Sequence, residues 1–210
     1  MVYVYESKPI EAEDPFLVLV GKDKTENDLL LKYGYAELNL IWFHADRYSS
    51  GHIYLQLKPG MKSIEDVPSE VVNDCLQLCK SKSIQGNKLS ECDIVITPWT
   101  NLRKSRFMKP GEVGFKSTRL CRKKTCYNRD NKVLNRLDKT RVEIFDGVEE
   151  LLHKAKKEKD ADFITTYLSV NRQRLLEEER TRKLAKRAKK QMKQKKLEEE
   201  EGDNTDSAEV

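Results

Sequence analysis

No apolar run among these 210 residues approaches the roughly 20 that a membrane span needs. The opening stretch, Met1 to Pro9, has neither the charged nor the apolar region of a signal peptide. The expectation is a soluble protein of the cytoplasm, and of the nucleus too if a basic cluster acts as an import signal. Cysteine is scarce: five residues, an odd number without framework spacing, fit reduced thiols. Cys75 and Cys79 lie one helical turn apart, and Cys121 and Cys126 flank a basic turn. The tighter Cys-x-x-Cys pairs or histidine partners of a zinc site are missing, so neither metal nor cofactor is expected. A P-loop, a nucleophile elbow and a metalloenzyme motif are missing as well, which puts binding ahead of catalysis. Aromatics are only 8% of the chain while charged residues are 36%, so the ends must be poor in core. The first 150 residues carry almost all the aromatics, enough for one core.

Acidic residues are absent from Arg180 to Lys196, which holds ten basic ones, and basic residues are absent from Glu198 to Val210, which holds seven acidic ones. Residues 1–100 hold 10 basic and 15 acidic residues, net −5, and residues 101–141 hold 14 and 3, net +11. The overall +5 hides this segregation. Basic blocks of such density attract polyphosphate, because each neutralised phosphate releases counterions. A run such as 180–196 also suits a solvated helix face.

The patterning predicts strands at Val2–Glu6 and Phe16–Val20, joined by a polar loop with Pro9 and Pro15. A helix over Lys24–Tyr33 stops at Gly34. Ser69 caps a second helix through Lys80, with Val71, Val72, Cys75, Leu76 and Cys79 on one side. Asp93–Thr97 reads as a strand ended by Pro98, Glu112–Lys116 with Thr118–Lys123 as a hairpin, and Asn131–Arg141 as a helix with Val133, Leu134 and Leu137 inward. Helices separated by several strands argue an α+β domain with a largely antiparallel sheet and packed helices. The expected division is a domain over 1–145, a long charged helical extension over 146–201 without sustained coiled-coil a and d positions, and a disordered acidic tail over 202–210.

The densest chemistry lies at Ile41–Leu57, IWFHADRYSSGHIYLQL. Trp42, His44 and Asp46 alternate with Phe43 and Ala45; Ser49, Ser50 and Gly51 read as a turn; His52, Tyr54 and Gln56 alternate with Ile53, Leu55 and Leu57. The simplest geometry is a β-hairpin gathering Asp46, Ser49, Ser50 and His52 near its turn. On one reading Trp42, Phe43, Ile53 and Leu55 are core and the histidines are hydrogen-bonded scaffold. On the other, His44, Ser49, Ser50 and His52 bind phosphate or another polar ligand. A Ser–His nucleophile would need an orienting third group that the pattern does not supply.

Three blocks resemble one family in order and spacing. They are Gly21-Lys22-Asp23-Lys24-Thr25-Glu26-Asn27-Asp28-Leu29-Leu30, the 41–57 segment, and Thr97-Pro98-Trp99-Thr100-Asn101-Leu102-Arg103-Lys104 followed by Pro110-Gly111-Glu112-Val113. Together they resemble the NFACT-R domain, an RNA-binding module of ribosome quality-control NFACT proteins. The resemblance covers roughly residues 1–145 and is strongest to the stand-alone coiled-coil domain-containing protein 25 family and its fungal counterparts. That family often has Asp before I-W-F-H, where this chain has Leu40, so any role of that Asp is lost here or passes to Asn39.

The resemblance implies a non-enzymatic nucleic-acid-binding module whose ligand is RNA in a ribosome or ribonucleoprotein. The basic density after residue 100 points the same way, with Trp99, Phe107, Phe115 and Tyr127 interleaved for base stacking. Candidate contacts are Lys22 and Lys24 at a helix start, His44, Ser49 and His52 in the hairpin, and Trp99, Arg103, Lys104 and Arg106 in one loop. Arg119, Arg122, Lys123 and Lys124 follow in the basic stretch. Asn101 is expected to brace its loop by local hydrogen bonding. The rival expectation is an interaction adaptor, its basic C-terminal helix binding an acidic protein, DNA or an anionic membrane surface.

Overall fold

Alternation in the first twenty residues builds two strands, β1 (Val2–Ser7) and β2 (Phe16–Gly21), paired antiparallel from Val2↔Gly21 to Ser7↔Phe16. The computed structural model describes residues 1–8 and 14–205, with side chains through residue 195, so the loop expected around Pro9 lies outside the described residues. Contacts divide the chain into two units, Met1–Val170 and Asn171–Val210.

In the first unit the chain continues through α1 (Lys24–Tyr33), β3 (Leu40–Ala45), β4 (Ile53–Gln56), α2 (Ser69–Ser81) and β5 (Cys92–Pro98). It then runs through β6 (Leu102–Arg103), β7 (Gly114–Phe115), β8 (Arg122–Cys126), α3 (Asn131–Thr140), β9 (Val142–Ile144) and α4 (Val148–Glu158). Seven strands form one sheet in the order β8-β5-β3-β4-β2-β1-β9, every neighbouring pair antiparallel. β6 and β7 pair separately as a short ribbon. The protein is α+β, with a largely antiparallel sheet and packed helices.

A period of two assigns every strand residue to a face. One face carries Tyr5, Phe16, Val18, Val20, Ile41, Phe43, Ile53, Leu55, Ile94 and Ile96, and these form the main core with Val71, Val72, Cys75, Cys79, Leu134 and Leu137 of α2 and α3. The opposite face carries Val2, Leu19, Tyr54, Trp42, His44 and Val95, as the cross-strand partners show. Here α1 packs on β2 and α4 packs on α1. Val2, Leu19, Leu30, Ile144, Val148 and Leu152 close that half of the face with buried apolar side chains. Among the described residues, no helix closes the His44 end of the half carried by β3, β4 and β5, which a cleft occupies instead.

Several local details differ from the sequence reading. Ser69 is the first residue of α2 and not its cap; Pro68 precedes it, with no side-chain cap. Gly34 ends α1 at φ −56° and not in the left-handed region. Its lack of a side chain serves packing instead, since a Cβ there would lie 2.8 Å from the Trp99 indole. The hairpin expected from 112–116 and 118–123 does not form. β7 pairs with β6, and β8 pairs with β5, because both segments find distant strands with matching faces. Leu40 is buried in β3, while the Asn39 side chain donates to the Met61 carbonyl at 3.0 Å from a left-handed turn position. Lys80 is fully buried, its ammonium held by the carbonyls of Leu89 (2.8 Å), Ser90 (3.1 Å) and Cys126 (3.4 Å).

A last helix, α5, runs from Phe163 to Thr205. The backbone is therefore still helical past Gly202, where the acidic tail was expected to begin, and residues 206–210 lie outside the described set. The second unit is this helix from Asn171 onward. Its stretch from Lys186 to Lys195 is exposed throughout. No helix among the described residues is long and apolar enough to cross a membrane.

Candidate functional site

The uncovered half of the sheet is the floor of a cleft of about 710 Å³. Three loops wall it: the β2–α1 turn (Gly21–Lys24), the β3–β4 connection (Asp46–Gly51) and the β6–β7 loop at Met108–Val113. Trp42, His44, His52, Val95 and Phe115 line its floor. Face parity puts the first four there, and the β6–β7 ribbon brings Phe115 over them. Trp42 pairs across strands with Tyr54, and His44 with Val95, which in turn pairs with Lys123.

The rings interlock. Trp42 stacks on His44 with centroids 5.4 Å apart and planes 2° apart, and His52 stands edge-on to both at 5.4 and 5.0 Å. Phe115 meets Trp42 edge-on at 5.8 Å. His52 is buried; its Nε2 lies 3.0 Å from the Gly111 carbonyl and its Nδ1 3.4 Å from the Tyr54 hydroxyl. His44 is half-buried, with Nδ1 2.8 Å from the Ala45 carbonyl. Burial lowers the pKa of both rings. The carbonyls of Ala45 and Ser50 oppose the shift in His44, while the neighbouring His44 adds to burial in taking His52 down to about 3. Both rings are thus neutral at pH 7, which removes them as cationic phosphate ligands.

The cations stand at the rim. Lys22, Lys24 and Arg47 line the cleft, are exposed, and form no ion pair among the described residues. Lys82 lines it as well, its ammonium 5.7 Å from the centre of the Tyr3 ring. The three carboxylates of the lining are already engaged. Asp23 caps α1, accepting from the amides of Thr25 (3.0 Å) and Glu26 (3.1 Å); Asp46 pairs with Lys123 at 2.7 Å; Glu112 accepts from the Lys109 amide at 3.0 Å. Asp23 therefore takes the α1 donors expected to meet a phosphate beside Lys22 and Lys24. The two ammoniums remain for that purpose.

Two buried polar groups of the lining lack partners. Asn27 Oδ1 and Trp42 Nε1 have no hydrogen-bond partner among the described residues, although the two side chains are 3% and 2% exposed. Gly21 makes room for Asn27, since a Cβ on residue 21 would lie 2.4 Å from that oxygen.

Of the expected site residues, Lys22, Lys24, His44, Ser49 and His52 share this cleft; the others lie outside its lining. Lys104 is engaged within its loop, bonded to Asp28 at 3.0 Å and to the carbonyls of Lys109 (2.7 Å) and Glu112 (2.8 Å). It pins the wall of the cleft. Arg103 and Arg106 are exposed, the latter 4.8 Å from the centre of the Phe107 ring, which is itself 83% exposed. Trp99 is half-buried beside Gly34. Arg119 and Lys124 are exposed, Arg122 pairs with Glu65, and Lys123 with Asp46. Asn101 braces its loop over a longer range than expected, donating to Thr97 Oγ1 (2.9 Å) and the Ser117 carbonyl (2.8 Å) and accepting from the Ser117 amide (2.9 Å).

Trp42, Asn27 and Arg47 are lining residues that the sequence reading does not assign to the site, whereas Phe115, expected among the stacking aromatics, does line it. Trp42 was detectable, because it shares strand parity with His44. Asn27 joins only through the fold, which lays α1 across Gly21.

The Ser50 hydroxyl accepts from the Ala45 amide at 3.0 Å, and no serine hydroxyl hydrogen-bonds a histidine ring among the described residues. No group of three or more metal-ligating side chains occurs among them either. The cleft thus combines a largely buried aromatic floor with exposed cations at its rim.

The chain belongs to the NFACT-R family: the family model described as the NFACT protein RNA binding domain matches residues 1–117. It is 62% identical to Protein JLP2 of Saccharomyces cerevisiae over 187 residues, 89% of this chain and 90% of that one. It is 43% identical to coiled-coil domain-containing protein 25 of Bos taurus over 149 residues, 71% of this chain and 70% of that one. Among solved structures, the C-terminal part of the fibronectin/fibrinogen-binding protein from Streptococcus suis shares the fold at a TM-score of 0.50 and 20% identity, over 63% of this chain and 48% of that one.

Proposed function

We propose that the protein binds RNA within a ribosome or ribonucleoprotein, and that the cleft on the open half of the sheet is the site. One observation carries this reading. Every residue lining the cleft, from Gly21 to Phe115, falls inside the 1–117 segment that matches the RNA-binding family, whereas α5 falls outside it. The chemistry agrees: Lys22, Lys24 and Arg47, without an ion pair among the described residues, suit phosphates, and the half-buried rings of His44 and Phe115, backed by the buried Trp42, suit bases. Arg103, Arg106 and the basic β8 edge extend the cationic surface beyond the cleft.

The test is the affinity of the full chain for a short single-stranded RNA at several salt concentrations. Each single-strand phosphate contact contributes about −0.7 to the log–log salt slope. Replacing Lys22, Lys24 and Arg47 together with Ala should weaken binding at least tenfold and flatten the slope by about 2. The melting temperature should hold, because all three side chains are exposed and unpaired. An unchanged slope and affinity would contradict the cleft. Loss of binding on neutralising the basic residues of 180–196 instead would move the function to α5.

A further inference from the structure

The histidine nitrogens carry information beyond general RNA affinity. A carbonyl oxygen only accepts, so a ring nitrogen 2.8 Å from one must bear the hydrogen. His44 Nδ1 is therefore the N–H, and Nε2 carries the lone pair. The Gly111 carbonyl fixes His52 the other way: its Nε2 donates, and its Nδ1 lies 3.4 Å from the Tyr54 hydroxyl, which itself donates to the Asn27 carbonyl at 3.3 Å. His52 is thereby spent inside the protein. No hydrogen bond to His44 Nε2 within distance is found among the described residues, the Ser50 carbonyl being the second one that faces the ring, and the side chain lines the cleft. Elsewhere in the lining, the buried Asn27 amide oxygen and the buried Trp42 N–H have no hydrogen-bond partner among the described residues.

We propose that the cleft receives one unpaired ribonucleotide, whose own hydrogen-bond donor, a ribose 2′-hydroxyl or a base N–H, is accepted by His44 Nε2. The proposal rests on the RNA-binding reading and deepens it. Volume supports it, since about 710 Å³ lies within the range of small-ligand sites and three loops bound it, leaving room for one nucleotide and not for a duplex. Polarity supports it too. A neutral acceptor repels a phosphate oxygen, so the floor selects the sugar or base while the rim lysines and Arg47 take the flanking phosphates. RNA recognition of this kind draws on bases freed from pairing, whose edges and ring faces are both available.

The probes are a short single-stranded RNA, its blunt duplex, and 2′-deoxy or base-substituted versions of the strand, titrated against the full chain at fixed salt. The wild type should prefer single strand to duplex by tenfold or more. His44→Phe keeps a flat ring on Trp42 but removes the acceptor; it should bind the single strand about tenfold more weakly with an unchanged salt slope. His44→Gln, which restores an acceptor, should recover part of the loss. A drop on 2′-deoxy substitution identifies the ribose as donor, and a drop confined to one base change identifies the base. Equal wild-type affinity for strand and duplex overturns the proposal without any variant, as does a folded His44→Phe that binds like wild type. Both outcomes leave the RNA-binding reading standing. That reading falls only if the wild type shows no salt-sensitive RNA binding at all, and this proposal falls with it.

Discussion

His52 shows how much one side chain carries here. It is 1% exposed, and it ties the β4 end of the cleft to the Gly111 carbonyl in the opposite wall. Burial and its charged or titratable neighbours, His44 and Lys104, keep it neutral, with a pKa down at about 3, while the Gly111 carbonyl pulls the other way. The unfolded chain takes up a proton on this ring below about pH 6.5, and the folded chain does not. Its contribution to stability is therefore complete above that value and is lost as pH falls toward 3. By pH 5 one such ring costs about 2 kcal/mol of unfolding free energy. Urea unfolding at pH 7 and pH 5 should show this loss in the wild type and a correspondingly smaller one in His52→Gln. Equal pH sensitivity in the two would mean that His52 is not the buried neutral group described. Lys104 teaches a related lesson. Its neighbours in sequence, Arg103 and Arg106, are exposed, yet Asp28 and two carbonyls hold its ammonium inside the loop. Charge in a sequence marks a cation, and only the fold says whether the protein has already used it.

At the scale of elements, legibility follows how local the determinants are. α1 was readable because its apolar spacing is local, and the observed helix is Lys24–Tyr33, although Gly34 ends it for a packing reason that the sequence does not show. The β3–β4 hairpin was readable because both arms alternate around a polar turn, and parity alone put His44 opposite the core face. β7, β8 and β9 were not. The 112–123 stretch alternates like a hairpin, but β6 and β5 capture its two halves, and a three-residue β9 has meaning only beside β1. The cleft was half legible for the same reason. Its lysines and histidines lie in short motifs, whereas Asn27 and Phe115 arrive from elements that only tertiary packing brings together. The β2–α1 junction makes a sharp case. A methyl group on Gly21 would lie 2.4 Å from Asn27 Oδ1 and 2.6 Å from the Asn27 amide nitrogen. Backbone cannot yield as a flexible side chain would, so Gly21→Ala should destabilise by about 1–3 kcal/mol, the usual cost of overpacking. Chemical denaturation measures this directly; a loss below 0.5 kcal/mol would show that the junction is looser than the geometry requires.

Across the whole molecule, charge is arranged by function more than by amount. The net +5 is small, but residues 1–100 are net −5 while 101–141 are net +11. Within the acidic first hundred residues, Asp23 and Asp46 at the rim are held by a helix cap and an ion pair, while Lys22, Lys24 and Arg47 stand exposed beside them. α5 holds a second cationic stretch outside the matched domain, from Arg180 to Lys196. The central claim is that RNA reaches the cleft. The measurement closest to it is crosslinking of RNA to the full chain in cells, with the attached peptides mapped. The account predicts adducts on Trp42 to His52 and on Met108 to Phe115. Adducts confined to 180–196, with none in the cleft, would contradict it.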